Sequence, residues 1–142
     1  MVDTVKSADT DVGRQFLSAV DRVLKDKASQ CVVFDCKGVN LSRLGSLELV
    51  SICFPTMEVY LLDFRDQPCH EIVKSVRNLF QSDEVTKIIH DCCMDCDALF
   101  HLHGITVVNV HDTSCFHEVI TGTENKNLND VLGYNGVRLN TK

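Results

Sequence analysis

Apolar residues along the 142-residue chain alternate between two periods. In GRQFLSAVDRVLKDK, Phe16, Leu17, Val20, Val23 and Leu24 recur at helical spacing, which predicts a helix from Gly13 to Lys27. QCVVFDCKG reads as a buried strand ended by Gly38, and SLELVSICF and MEVYLLDF as two more, separated by Pro55 and Thr56. Strands joined so closely pair antiparallel, so the three predict a meander. PCHEIVKSVRNLFQS sets Ile72, Val73, Val76, Leu79 and Phe80 on one helical face. After it, TKIIH reads as a short strand, the next segment as a helix closed by Gly104, and ITVVNVHDTS as a strand. SCFHEVITG follows as a helix capped by Gly122, and NKNLNDVLGYNG as a last short helix. Residues 1–12 carry neither period and read as a polar N-terminal lead, leaving residues 13–142 as one domain. A meander that gives way to strand–helix alternation makes a mixed α/β sheet flanked by helices.

Composition narrows the class. The chain is 44% hydrophobic and 24% charged, which suits one domain with its own core. It holds no apolar run of ~18 residues that would span a membrane. The start, MVDTVKSADTDVG, lacks the apolar stretch of a signal peptide, so the reading is intracellular: cytoplasmic, with the nucleus left open. Eight cysteines raise the question of a disulfide scaffold. Cys31, Cys36 and Cys53 lie in or beside β-like apolar runs and Cys115 in a helical pattern, where reduced cysteines act as small hydrophobes. The formal net charge of −6 argues against a broad basic face for nucleic acid. It leaves room for an enzyme that meets phosphates through divalent metals.

Two stretches carry chemistry-bearing residues. IIHDCCMDCDALFHLHG packs three histidines, three cysteines and three aspartates behind an apolar start. On a helix, Cys92, Cys96 and Leu99 share a face with Asp95 beside them. A zinc site would draw on Cys92, Cys93 and Cys96 with His90, His101 or His103, but only one Cys-x-x-Cys pair is present. A redox dithiol would need a different turn between its cysteines, so the main reading is helix packing. The second stretch is VVFDCKG, where strand alternation directs Val32, Phe34 and Cys36 one way and Val33, Asp35 and Lys37 the other. An acid at the end of a buried strand needs a metal ion, an ion pair with Lys37, or exposure.

Together the two stretches carry a resemblance. CVVFDCKGVNLSRLGSLELVSICFPTMEVYLLDF resembles the opening of the RNase D-type 3′–5′ exonuclease domain of the DEDD group, in which a strand ends Asp-x-Glu before a two-strand meander. VTKIIHDCCMDCDALFHLHGITVVNVHDTSCFHEVI is similar to the second block of that domain, which runs from a strand-end His through a motif Asp to an Asp-Thr phrase. The His-Asp-Cys start most resembles the exonuclease-like branch found in piRNA-biogenesis and mRNA-localisation factors. LNDVLGYNGVRLNTK resembles the phrase that follows, and the likeness covers residues 29–142.

The resemblance implies an RNase H-like exonuclease fold in which Asp35 and Asp95 match two of four metal-binding, catalytic carboxylates. In the family those four hold two Mg²⁺ or Mn²⁺ ions about 3.5–4 Å apart. It also places Lys37, Leu44 and His90 on the substrate side, with His90 and Asp112 mainly structural. Two departures bear on activity. Lys37 stands where the first motif has its glutamate, and strand alternation does not direct Glu48 or Glu58 into that place. The third motif is not found; Tyr134 is followed by Arg138 where the family shows Asp. The expectation is a catalytically degenerate domain acting as an RNA-binding or protein-interaction module. Its partner would be a single-stranded RNA 3′ end or a protein, with a homodimer open and no membrane. The alternatives are an active Mg²⁺- or Mn²⁺-dependent exonuclease on RNA or DNA ends, or a zinc-binding or purely protein-binding domain.

Overall fold

The computed structural model of the chain describes residues 2–26, 28, 30–124 and 127–137. The elements run β1 (Val2–Val5), α1 (Asp11–Lys25), β2 (Gln30–Lys37), β3 (Leu49–Cys53), β4 (Val59–Asp63), α2 (His70–Gln81), β5 (Val85–Ile89), α3 (Cys93–His103), β6 (Val110–Asp112), α4 (Thr113–Thr121) and α5 (Leu128–Tyr134). They form one six-stranded sheet in the order β1-β4-β3-β2-β5-β6. The predicted meander is there: β2–β3 and β3–β4 pair antiparallel. The outer pairs β1–β4, β2–β5 and β5–β6 are parallel. The mixed α/β fold class is as the sequence predicts. Among the described residues no helix is long and apolar enough to cross a membrane.

The period-2 alternation of the strands decides which face is covered. Val32 and Phe34 of β2, Val50 and Ile52 of β3, and Tyr60 and Leu62 of β4 are buried. On that face Phe16 of α1 meets the rings of Phe54 and Tyr60 edge-on, with centroids 6.1 and 5.6 Å away. Phe34 packs on Phe80 of α2 at 4.6 Å. Val33, Asp35, Ser51 and Leu61, on the opposite face, are only partly covered. Thr10 caps α1 by accepting from the Gly13 N–H, and Gly13 packs so close to the Ser7 carbonyl that a Cβ there would clash.

Three expectations need correcting. Residues 1–12 are not a loose lead: Val2–Val5 is a strand paired with Val59–Leu62, and Val5 is buried in the core. Four residues are too few for periodicity to register, and the pairing partner lies far along the chain. The strand expected over ITVVNVHDTS shrinks to Val110–Asp112. Ile105 is drawn into the core instead, and Asn109 turns the chain at φ 51°. The first helix ends at Lys25, and Lys27, its expected last residue, lies outside the described residues, as does Arg138.

Candidate functional site

The site forms where β2 and β5 part. The strands pair from Gln30 to Val33 and Val85 to Ile88, and β2 continues alone on that side to Lys37. There Asp95, in the first turn of α3, accepts a 2.8 Å hydrogen bond from the Cys36 backbone N–H. A buried amide beyond the end of its ladder needs such an acceptor. Asp95 is itself buried, and desolvation pushes its carboxyl pKa up. The negative charge of Asp35 acts in the same direction, while the hydrogen bond from Cys36 opposes it.

The turn from β5 into α3 is held by Asp112 at the end of β6. Its carboxylate accepts from the backbone N–H groups of Asp91, Cys92 and Ser114 at 2.9, 2.8 and 2.9 Å, and from the Ser114 hydroxyl at 2.6 Å. Burial works to raise the Asp112 pKa, but these donors outweigh it and hold the carboxyl well below the usual carboxylate range. With Asp112 satisfied, Asp91 can sit at φ 58° and end the strand abruptly. His90 is fixed by a 2.8 Å contact between Nδ1 and Thr113 Oγ1.

A cleft of about 560 Å³ opens over this junction, lined by Asp35, Lys37, His90, Asp91, Ser114, Asn127 and Leu128. Lys37 and Asp35 share a sheet face, as the alternation predicts, and Lys37 Nζ lies 2.7 Å from Asp35 Oδ2. Their side chains are 71% and 48% exposed. The hydrogen bond to Asp35 raises the Lys37 pKa, so the ammonium is a firm cation. A smaller hollow of about 200 Å³ between α4 and α5, lined by Phe116, His117, Ile120 and Tyr134, offers no carboxylate.

The donor set among the described residues does not fit a pair of divalent ions. Among the described residues no three His, Cys, Asp or Glu side chains gather as a metal-holding group. Asp35 is already paired with an ammonium, and Asp95 spends one oxygen on Cys36. Glu48 bonds Ser46 and Glu58 pairs with Arg22, so neither replaces the missing glutamate. An ammonium ~4 Å from a metal ion opposes it by ~4 kcal/mol per unit of metal charge at an effective dielectric near 20. The zinc arrangement does not form either. Cys93 is exposed, His101 faces Asp97, and the ring of His103 packs on Phe64. Burial pushes the Cys36, Cys92 and Cys96 thiols up, which suits packing and not ligation.

Of the residues singled out from sequence, Asp35, Lys37 and His90 meet in the cleft, and Asp95 is buried beside β2, at the Cys36 amide. Leu44 does not line the cleft. It stands 91% exposed on the loop after β2, which Arg43 ties to Asp97 of α3 by two guanidinium N–H groups on Oδ1 and its backbone N–H on Oδ2. Asp91, Ser114, Asn127 and Leu128 were not foreseen. Asn127 had a readable signal: it caps α5 by accepting from the Asp130 N–H, so its backbone is fixed at the cleft rim.

The 3′–5′ exonuclease family model matches residues 14–141, nearly the whole domain. The chain belongs to the 3′–5′ exonuclease family. A curated relative, piRNA biogenesis protein EXD1 of Bombyx mori, is 24% identical over 138 residues, covering 92% of this chain and 42% of the relative. The chain therefore spans less than half the length of that protein. Among solved structures, the exoribonuclease RNase D of Escherichia coli superposes with a TM-score of 0.73 at 17% identity, over 96% of this chain and 34% of RNase D. Brucella melitensis NrnC gives 0.68 at 16%, over 99% of this chain and 63% of NrnC. The fold is thus that of the RNase D-type exonucleases. NrnC has been solved with bound Mg²⁺ and bound to pGG.

Proposed function

We propose that this is a catalytically degenerate 3′–5′ exonuclease domain that retains its cleft as a binding site for a single-stranded RNA 3′ end. The observation that carries the reading is the Lys37–Asp35 pair: a fixed cation 2.7 Å from the first motif acid, where the family mechanism calls for a second carboxylate. Family membership supports nucleic acid as the ligand, as does a structural neighbour bound to pGG. The likeness to a piRNA biogenesis protein supports RNA in preference to DNA. The test incubates a 5′-labelled, 3′-single-stranded RNA with Mg²⁺ or Mn²⁺ and wild type or Asp95→Asn. The expected result is intact RNA retarded on a gel. A 3′-to-5′ ladder that Asp95→Asn abolishes would show an active exonuclease and overturn the degenerate reading.

One observation favours a second role. Phe116, Val119 and Ile120 of α4 and Tyr134 of α5 are half or more exposed, and the chain carries a net charge of −6. Apolar side chains grouped on neighbouring helices suit a protein partner. Absence of RNA retardation at low salt would bring that reading to the front.

A further inference from the structure

We propose that the Lys37 ammonium takes the place of the divalent cation at the first motif, so that phosphate binding in this cleft is independent of metal. The inference rests on the RNA-binding reading above and adds the group that meets the phosphate. An exonuclease cleft lined by carboxylates repels a phosphodiester until cations neutralise it. Here the charged groups on the cleft wall are Asp35, Asp91 and Lys37, with Asp95 buried beside β2 at the Cys36 amide. Lys37 is the one permanent cation among them, and it is already seated on Asp35 at 2.7 Å. An ammonium has three N–H donors. Asp35 takes one, and with the side chain 71% exposed the others face the cleft mouth and solvent. A phosphate oxygen arriving there completes a carboxylate–ammonium–phosphate bridge, the arrangement a metal ion would make in a site with more carboxylates. The Asn127 side-chain NH2 on the same wall adds a neutral donor, its Oδ1 being taken by the Asp130 N–H. The cleft volume of about 560 Å³ is in the range of sites that hold one small ligand, a nucleotide unit included.

The same geometry makes the charge reversible. Lys37 shares its sheet face with Asp35, so Lys37→Glu would create the Asp-x-Glu pair that a divalent ion needs, at an exposed position where folding is not at risk. The experiment measures anisotropy of a fluorescent single-stranded oligoribonucleotide against wild type, Lys37→Gln and Lys37→Glu, with EDTA or Mg²⁺, over a KCl series. Direct Mn²⁺ binding is followed in parallel by electron paramagnetic resonance. Wild type is expected to bind equally in EDTA and Mg²⁺ and to leave Mn²⁺ free. Lys37→Gln is expected to bind about tenfold more weakly and to lower the salt slope by ~0.7, the loss of one phosphate contact on a single strand. Lys37→Glu is expected to lose binding in EDTA, regain it with Mn²⁺, and take up Mn²⁺ without RNA.

Wild-type binding that requires metal overturns the proposal, as does Lys37→Gln with unchanged affinity and slope. In either case RNA binding itself stands. Absence of RNA binding in every protein and buffer overturns the RNA-binding reading and the phosphate contact with it. The Mn²⁺ titration then still decides whether Lys37 stands in for the ion: equal Mn²⁺ uptake by wild type and Lys37→Glu rejects it.

Discussion

Asp112 ends β6 and Asp35 lies just past the stretch where β2 runs parallel to β5, and both match acids of the family pattern, yet their surroundings differ in kind. Asp112 is buried and accepts four hydrogen bonds from the turn into α3 and the start of α4, so its charge is consumed by the fold. Asp35 is half-exposed and is answered by one lysine on the same strand. The first acid builds the site without facing a ligand. The second faces the cleft and builds nothing. An acidic motif position is therefore read by counting the donors that already hold it.

The comparison breaks first at Asp112. Asp112→Ala would leave three backbone N–H groups without their acceptor, and unsatisfied buried donors put the loss at about 3–5 kcal/mol. A fall in the thermal midpoint of roughly 10 °C or more follows for a domain of this size, measurable by circular dichroism. Asp112→Asn keeps one oxygen and is expected to lose about half as much. Because the hydrogen bonds depress the folded-state pKa of Asp112, its stabilisation is complete above the unfolded value near 4 and is lost as pH falls below it. The wild-type advantage over Asp112→Asn should therefore shrink steadily in urea titrations from about pH 5 downward.

Lys87 sharpens the contrast with Lys37. It is fully buried in β5, and its Nζ donates to the carbonyl oxygens of Ser82, which ends α2, and Val85. Lys87→Met is expected to destabilise the domain by about 1–3 kcal/mol by orphaning those carbonyls. Burial lowers the Lys87 pKa from 10.5 to about 8. Between those values the unfolded chain binds more protons than the folded one, so wild type should gain on Lys87→Met as pH rises through that window.

Lys37→Gln tests the other side. An exposed ion pair contributes no more than about 1 kcal/mol, so urea unfolding should be nearly unchanged while the cleft loses its cation. A loss as large as that of Asp112→Ala would mean that the pair is structural after all. The smallest global effect is expected for Arg43→Ala. It removes the guanidinium bonds to Asp97 and leaves the backbone one, with no measurable shift in midpoint, and modestly faster amide exchange at Leu44 and Gly45 is the readout.

Periodicity made the three-strand meander and helices α1 and α2 legible, because each buries one face at a regular spacing, whereas α3 and α4 were read from the glycines that close them. It could not reveal β1, whose four residues acquire meaning only beside β4. It overextended β6, because Val107 and Val108 continue an apolar run that hydrogen bonding turns aside: the Val108 N–H donates to Phe80, and the Asn109 carbonyl accepts from Lys87. At the site, strand alternation alone placed Lys37 beside Asp35. Asn127 and Leu128 enter the cleft from a segment more than 80 residues away, a proximity that no local pattern encodes.

Asp95 carries the last consequence. Where β2 outruns β5, the sheet forks, and the carboxylate of α3 closes the fork by taking the orphaned Cys36 amide. An acid at this position is thus demanded by the backbone before any chemistry is asked of it. A motif search that counts carboxylates scores Asp95 as half of a catalytic centre, whereas the amide it caps accounts for its presence without catalysis. Asp95→Asn is the cleaner probe of chemistry here, since its amide oxygen can still close the fork that Asp95→Ala would leave open.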